Sequence, residues 1–324
     1  MTAVPTDAIG TPPGGGARRR RVRRTELMVY LFLLPTIVLY GLFTVYPVIG
    51  SYWYSFLDWN GFDAVKTFVG LANYAEILAD PMFWNSFRIT VTFTVLAVPI
   101  KVFLALLLAI LLNSPRMPWS GFFRTAFFLP VVTTTAIVGV VMQFVFDPAS
   151  GPVNLGLMQF GLLDQGINFL GDSKTALPTV VGVFVWKWFG TTLIYWLAAL
   201  QTIPRDLYEA AAIDKAGPVR MFTSITLPLL KPFTIIITLL TLESTLQVFD
   251  LMLTMTGGGP FYATQVMEIY IYEAAFASTT PRLGMASAAA VLFGLFICAV
   301  GLFQLLGIRA ARASMGSERK GEAK

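Results

Sequence analysis

Six stretches of this chain are each long and apolar enough to cross a bilayer: Leu27–Gly50, Ile89–Leu112, Phe122–Phe146, Leu177–Leu200, Phe233–Met255 and Met285–Ile308. Roughly 20 residues suffice, because the hydrocarbon core is about 30 Å thick and a helix rises about 1.5 Å per residue. Lipid offers backbone amides no partner, so a spanning segment must satisfy its own hydrogen bonds, as a helix does. A β-barrel would show alternating runs of about ten residues, whereas these runs are continuous and longer. Composition agrees: 56% of the 324 residues are hydrophobic and only 13% charged, where a soluble domain carries about 25%. The expected fold is all-α and integral to the membrane, with six transmembrane helices.

Charge placement predicts the orientation. The polar, Pro/Gly-rich residues 1–16 have the composition of a disordered segment. The block ARRRRVRR, Ala17 to Arg24, stands directly before the first apolar run, where basic residues act as a topological anchor. That run exceeds the usual signal-peptide core of about 7–15 residues and no small-residue cleavage site follows, so it reads as an uncleaved span. With the N-terminus inside, the cytoplasmic segments hold Arg18 to Arg24, Arg116, Arg124, Arg205, Lys215, Arg220, Lys231 and the tail from Arg309 to Lys324. The outer segments hold only Lys66, Arg88, Lys174 and Arg282. This asymmetry predicts both termini in the cytoplasm. Three parts follow: a basic N-tail at 1–26, a six-span domain at 27–308 and a cytoplasmic C-tail at 309–324. The outer loops, 55–88, 147–176 and 256–284, are too short for a separate domain.

The chain has no histidine, which removes imidazole metal ligands and the commonest general base. No metal site is expected. The one cysteine, Cys298, lies in an apolar run; it cannot form an internal disulfide and reads as a small core residue.

The segment between the fourth and fifth spans, 201–232, is predicted to be a cytoplasmic helix-turn-helix. Pro204 suits a first helical turn, and Asp206 with Glu209 has capping-box spacing. Leu207, Ala210, Ala211 and Ile213 or Asp214 follow a helical period. Gly217 can end the helix and Pro218 can begin the next. Met221, Phe222 and Ile225 then share a face. A partly apolar surface here suits a protein partner; a helix lying on lipid headgroups has nearly equal weight by pattern alone.

The residues of this loop resemble the coupling motif of binding-protein-dependent ABC importers, which reads EAA, three residues, Gly, nine residues, I-x-L-P. Glu209, Ala210, Ala211, Ile225, Leu227 and Pro228 fall on it, while Lys215 stands at the family glycine and Gly217 lies two residues later. FVGLANY (Phe68–Tyr74), LLLAILLN (Leu106–Asn113), RTAFFLP (Arg124–Pro130), GPVNLGL (Gly151–Leu157) and TGGGP (Thr256–Pro260) are similar to blocks of the maltose and glycerol-3-phosphate type permeases, particularly the first permease subunit. The resemblance implies a loop that docks in a cleft on a cytoplasmic ATPase, with Glu209 meeting a basic group there. It also implies partners: a second homologous permease, an ABC ATPase dimer carrying ATP and Mg, and an extracytoplasmic solute-binding protein. Nucleic acid is not among them.

The chain itself carries no ATPase motif. A P-loop requires G-x-x-x-x-G-K-[ST], and the nearest match, GINFLGDSKT at Gly166–Thr175, has Asp172 where Lys is needed. No nucleophile–base pair stands out either, so no catalytic site or bound cofactor is expected. Three charges lie deep in the spans: Lys101 at about 18 Å along its run, Lys187 and Glu243 at about 15 Å. Charge at such depth costs at least about 2.5–3.5 kcal/mol, so Glu243 is expected to pair with Lys187 or Lys101. Glu243, Gln247 and Asp250 are expected to share one helix face. That face either lines a substrate path or fixes helix packing. Trp186, Trp188 and Tyr195 are candidates to stack on a sugar ring, or packing residues. The small run MASAAA, Met285–Ala290, allows close helix approach, within this chain or against a second permease. The implied function is import of a carbohydrate. The alternatives are glycerol-3-phosphate or another polar solute, an ion-coupled secondary transporter using Lys101, Lys187 and Glu243 as a proton relay, and, third, a membrane enzyme.

Overall fold

The computed structural model describes residue 28 and residues 30–114 and 117–321, with the side chains of the last helix described up to 306. The N-tail 1–26 with its basic block, Arg116, and the side chains from Arg309 onward lie outside the described residues.

The chain divides into two compact units, Met1–Trp53 and Tyr54–Lys324. The described part of the first is a single apolar helix, α1 (Tyr30–Tyr54), with a π turn at Gly41–Val45. The second unit begins with a two-residue strand pair, β1 (Leu57–Asp58) antiparallel to β2 (Thr67–Phe68). It continues with α2 (Ala72–Ala79), α3 (Pro81–Leu112), α4 (Ser120–Val132), α5 (Thr135–Val145), α6 (Pro152–Gln159), α7 (Ala176–Gln201) and α8 (Arg205–Ile213). Then come α9 (Pro218–Leu246), α10 (Phe249–Met255), α11 (Met267–Tyr272) and α12 (Leu283–Gly321). Among the described residues the fold is all-α apart from the short strand pair.

Two of the six expected spans are interrupted. The run Phe122–Phe146 is the bent pair α4 and α5, which meet at 99°. Among the described residues five continuous helices are long and apolar enough to span, or six when this pair is counted as one span. The local cause lies in Pro130, which supplies no backbone N–H, and in the Thr run that follows. Thr133 and Thr134 are extended, at φ −76°, ψ 148° and φ −65°, ψ 130°. The Thr133 hydroxyl donates to the Pro130 carbonyl at 2.6 Å, the local bond by which threonine competes with a helix. The run Phe233–Met255 is also broken: α9 ends at Leu246, Gln247 turns away at φ −112°, ψ 72°, and α10 begins at Phe249. The last helix begins near the expected residue, and its backbone continues through the C-tail to Gly321.

α7 is the central element, packed along α3 and α4, while α9 lies on α3 and α10 on α5. One apolar core joins Phe93, Val180, Phe184, Leu251, Met252 and Ile269. A second, toward the loop-bearing end, joins Ala105, Leu193, Trp196, Leu230 and Ile237. A third holds Ile77, Phe83, Met267 and Tyr270 against Ala288 and Ala289. The small run MASAAA therefore packs inside this chain, where its alanines admit close neighbours. Cys298 is exposed, contrary to the core position expected. At the end opposite the loop, the Arg282 guanidinium forms a bidentate pair with Glu76 and holds that carboxyl below its ordinary range.

Candidate functional site

Two regions carry the predicted residues. The first is the helix-turn-helix at 205–226. Pro204 is the extended residue before α8, at φ −59°, ψ 135°, rather than part of its first turn. Asp206 lies in that first turn, but no side chain caps the N-terminus, so the Asp206–Glu209 capping box does not form. The C-terminus closes on a Schellman motif: the Lys215 N–H donates to Ala212 O at 3.0 Å and the Ala216 N–H to Ala211 O at 2.9 Å. The left-handed residue is Lys215, at φ +56°. Gly217, expected to end the helix, is extended at φ −71°, ψ 164° and instead precedes α9, with Pro218 at its first position. Lys215 thus takes the conformation for which glycine is the usual choice.

The loop is anchored on one side and open on the other. Tyr208 bonds the Thr226 hydroxyl at 2.8 Å, and Tyr208 and Ile225 pack on the second core. Met221 and Phe222 are half-buried and line a cleft of about 550 Å³ with Tyr208, Glu209 and Arg205. Glu209, Ala210, Asp214, Lys215, Leu227 and Pro228 are exposed, and Ala211 half-exposed. Two large apolar side chains flank the turn, Ile213 at 82% and Val219 at 75% exposure. Such a patch beside a carboxylate fits a protein partner.

The second region is a layer of broken helices. Lys187 on α7 is fully buried. Its ammonium donates to the Thr133 carbonyl at 2.8 Å and the Pro130 carbonyl at 3.3 Å, and lies 4.5 Å from the Trp188 ring centroid. These are carbonyls that the bend strips from α4. A cation there also meets the negative end of the α4 dipole. Lys101 is buried against Phe184, 5.2 Å from its ring centroid.

The expected pairing of Glu243 with Lys187 or Lys101 does not occur. Glu243 is exposed and lines a shallow groove of about 210 Å³ with Leu240, Gly301 and Gln304, between α9 and α12. Among the described residues the only ion pair is Arg282–Glu76. Depth along a helix placed these charges on similar levels, but their directions around the helix axes differ. Nor do Glu243, Gln247 and Asp250 share a helix face, because α9 stops at Leu246.

Gln247 and Asp250 instead border a pocket of about 230 Å³ with Thr135, Phe184, Trp188 and Glu268. Both helix breaks contribute to it. Of the three candidate aromatics only Trp188 reaches it. Trp186 borders an apolar groove of about 630 Å³ with Phe127 and Phe189, and Tyr195 is an exposed residue further along α7. Glu268 was not anticipated. Its carboxylate accepts from the Phe249 N–H at 2.6 Å, capping α10 from 19 residues away. Burial pushes this carboxyl up to about 6, against the hydrogen bonds from Phe249 and Val248. Nothing local in MEIYIY marks it as a cap. Among the described residues no acidic or cysteine cluster could hold a metal ion.

Sequence and structure comparisons give a consistent result. The family described as "Binding-protein-dependent transport system inner membrane component" matches residues 83–312. The probable ABC transporter permease protein YurN of Bacillus subtilis is 35% identical over 285 residues, 88% of this chain and 97% of the relative. The lactose transport system permease protein LacF of Rhizobium radiobacter is 33% identical, over 86% of this chain and 93% of the relative. Among solved structures, a bacterial alginate ABC transporter in complex with its alginate pentasaccharide-bound periplasmic protein has a chain that superposes with a TM-score of 0.74. The identity is 25%, over 89% of this chain and 94% of that one.

Proposed function

Because this chain belongs to the family of binding-protein-dependent transport system inner membrane components, we propose that it is the first permease subunit of a carbohydrate importer. It is a multi-pass membrane protein and not itself an enzyme. In this reading both termini face the cytoplasm, as the Lys and Arg asymmetry requires. It pairs with a second, homologous permease, with two copies of an ATPase that bind ATP and Mg, and with an external binding protein that delivers the solute. The observation that carries the reading is the anchored loop at the EAA position, which leaves Glu209, Ile213 and Val219 exposed. Glu209 supplies a charge-assisted contact to a basic group on the ATPase, and the exposed Ala210 lets the partner approach closely. ATP-driven closure of the ATPase dimer then moves α8 as a lever, and Tyr208 and Ile225 pass the motion to the spanning helices.

The solute path runs through the broken-helix layer, where Gln247, Asp250 and Trp188 face the same pocket. A sugar is the favoured class, since the lactose permease of Rhizobium radiobacter is similar over most of its length. An ion-coupled secondary transporter is less well supported: Lys187, Lys101 and Glu243 occupy three separate environments and form no chain of contacts for a proton relay. The test is Glu209→Lys in the assembled importer. ATP-coupled uptake is expected to be abolished with membrane insertion intact, and normal uptake would overturn the docking role.

A further inference from the structure

We propose that the pocket between the two helix breaks accepts an uncharged polyhydroxyl ligand, one sugar ring or a short polyol, and rejects phosphate-, sulfonate- and carboxylate-bearing solutes. The proposal rests on the importer reading and narrows its solute class.

The argument begins with the helix ends. A helix N-terminus is a ready anion cradle. At α10 that cradle is already filled, because the Glu268 carboxylate accepts the Phe249 N–H at 2.6 Å. The opposite end, the C-terminus of α4, is matched by the Lys187 ammonium, whose bonds go to Thr133 and Pro130. Both charged side chains bordering the pocket, Asp250 and Glu268, are carboxylates. The two cations of this layer, Lys101 and Lys187, do not border it. Each instead lies against the ring of a residue that does, Phe184 or Trp188. An entering anion would meet like charge and no free cationic donor. Its desolvation there would go uncompensated.

An uncharged ring finds complementary groups. The Trp188 and Phe184 rings offer apolar faces for its C–H surface. The Asp250 carboxylate, the Gln247 amide and the Thr135 hydroxyl accept or donate to its hydroxyls. The volume, about 230 Å³, is below the roughly 300 Å³ at which drug-sized sites begin, so a single ring is the natural occupant.

The experiment uses the whole importer in ATP-loaded proteoliposomes, with the binding protein that stimulates its ATP hydrolysis. The solute carried by that binding protein is released by denaturation, identified by mass spectrometry and supplied in labelled form. The expected solute is uncharged. Asp250→Arg is expected to lower its ATP-dependent uptake by about tenfold or more, the loss of one hydrogen bond to a charged group, with Asp250→Asn between the two. An anionic solute taken up by the unaltered importer overturns the proposal. So does unchanged uptake of a neutral solute by Asp250→Arg in a complex that still assembles. Accumulation that ignores ATP would instead overturn the importer reading, leaving the two failures distinct.

Discussion

The turn between α8 and α9 and the bend between α4 and α5 both interrupt helices, yet they solve the problem of orphaned backbone groups in opposite ways. At the turn, the last carbonyls of α8 are bonded by the N–H groups of Lys215 and Ala216, one and two residues beyond the helical cap. At the bend, the Pro130 carbonyl has a local bond from the Thr133 hydroxyl, but the Thr133 carbonyl is bonded by the Lys187 ammonium, more than fifty residues away, which also reaches Pro130. The break before α10 follows the second pattern, with Glu268 as its cap. A locally closed turn keeps its shape wherever the loop moves, which suits a segment that docks on a partner. A remotely capped bend depends on the packing of α7, so it reports any rearrangement of the spanning helices.

The comparison breaks most clearly at Lys187. Lys187→Met leaves the Thr133 carbonyl without a donor and takes one of several from the Pro130 carbonyl, at a cost of about 1–3 kcal/mol. It is expected to abolish uptake and lower the thermal midpoint of the purified complex, with Lys187→Arg restoring part of both. The matching truncation in the turn, Lys215→Ala, removes a side chain that makes no contact the fold needs. Its stability change is expected within about 0.5 kcal/mol. Equal effects of the two truncations would end the distinction.

Gly190 tests the same bend through sterics. A methyl group there would collide with the Phe127 carbonyl oxygen and come within 2.7 Å of Phe128 Cα, both backbone atoms of α4. Gly190→Ala must therefore push α4 off α7 and draw the Pro130 and Thr133 carbonyls away from Lys187. The expected cost is about 1–3 kcal/mol, read as a lower thermal midpoint.

How far each region was legible in the sequence follows from the same physics. The six apolar runs located the spans, since burial in lipid is a property of composition over about 20 residues. The loop was legible because the breakers Pro204 and Gly217-Pro218 stand within about fifteen residues of each other, although the Asp206–Glu209 capping box does not form and the left-handed residue is Lys215 rather than a glycine. The bend had a partial signal in Pro130 followed by three threonines, hidden by the apolar average around them. The break at Gln247 had none: STLQVFD contains no Gly or Pro, and the group that stabilises the break is Glu268. The expected pairing of Glu243 with a lysine failed because depth along a helix fixes one coordinate and leaves the angle around the axis free.

Glu268 sharpens the comparison by pH. Burial raises its carboxyl to about 6 from the ordinary 4.5, so the folded chain holds the proton more tightly than the unfolded one. The stability penalty of ionising it is full above pH 6 and fades as pH falls toward 4.5. Function runs the other way, because only the carboxylate makes a charge-assisted cap on Phe249. The remaining titratable group at this pocket is Asp250, whose charge disfavours ionisation of Glu268. If the ionised form alone is active, uptake at external pH 5 should be about tenfold below that at pH 7. Glu268→Gln is expected to lose this step, and a step of the same midpoint in that variant would assign it elsewhere.

The smallest expected effect lies in the turn. Lys215 holds φ +56°, a conformation that costs an ordinary L-residue roughly 1–2 kcal/mol. Glycine removes that cost but gives up about 0.5–1 kcal/mol of backbone entropy. The balance favours Lys215→Gly by about 0–1.5 kcal/mol. Because the motif is closed by local bonds, the gain should stay local. Amide exchange at Asp214, Lys215 and Ala216 is expected to slow by a few fold, while the thermal midpoint of the spanning unit stays in place. A shift of that midpoint comparable to the effect of Gly190→Ala would mean the turn is coupled to the bundle as tightly as the bend.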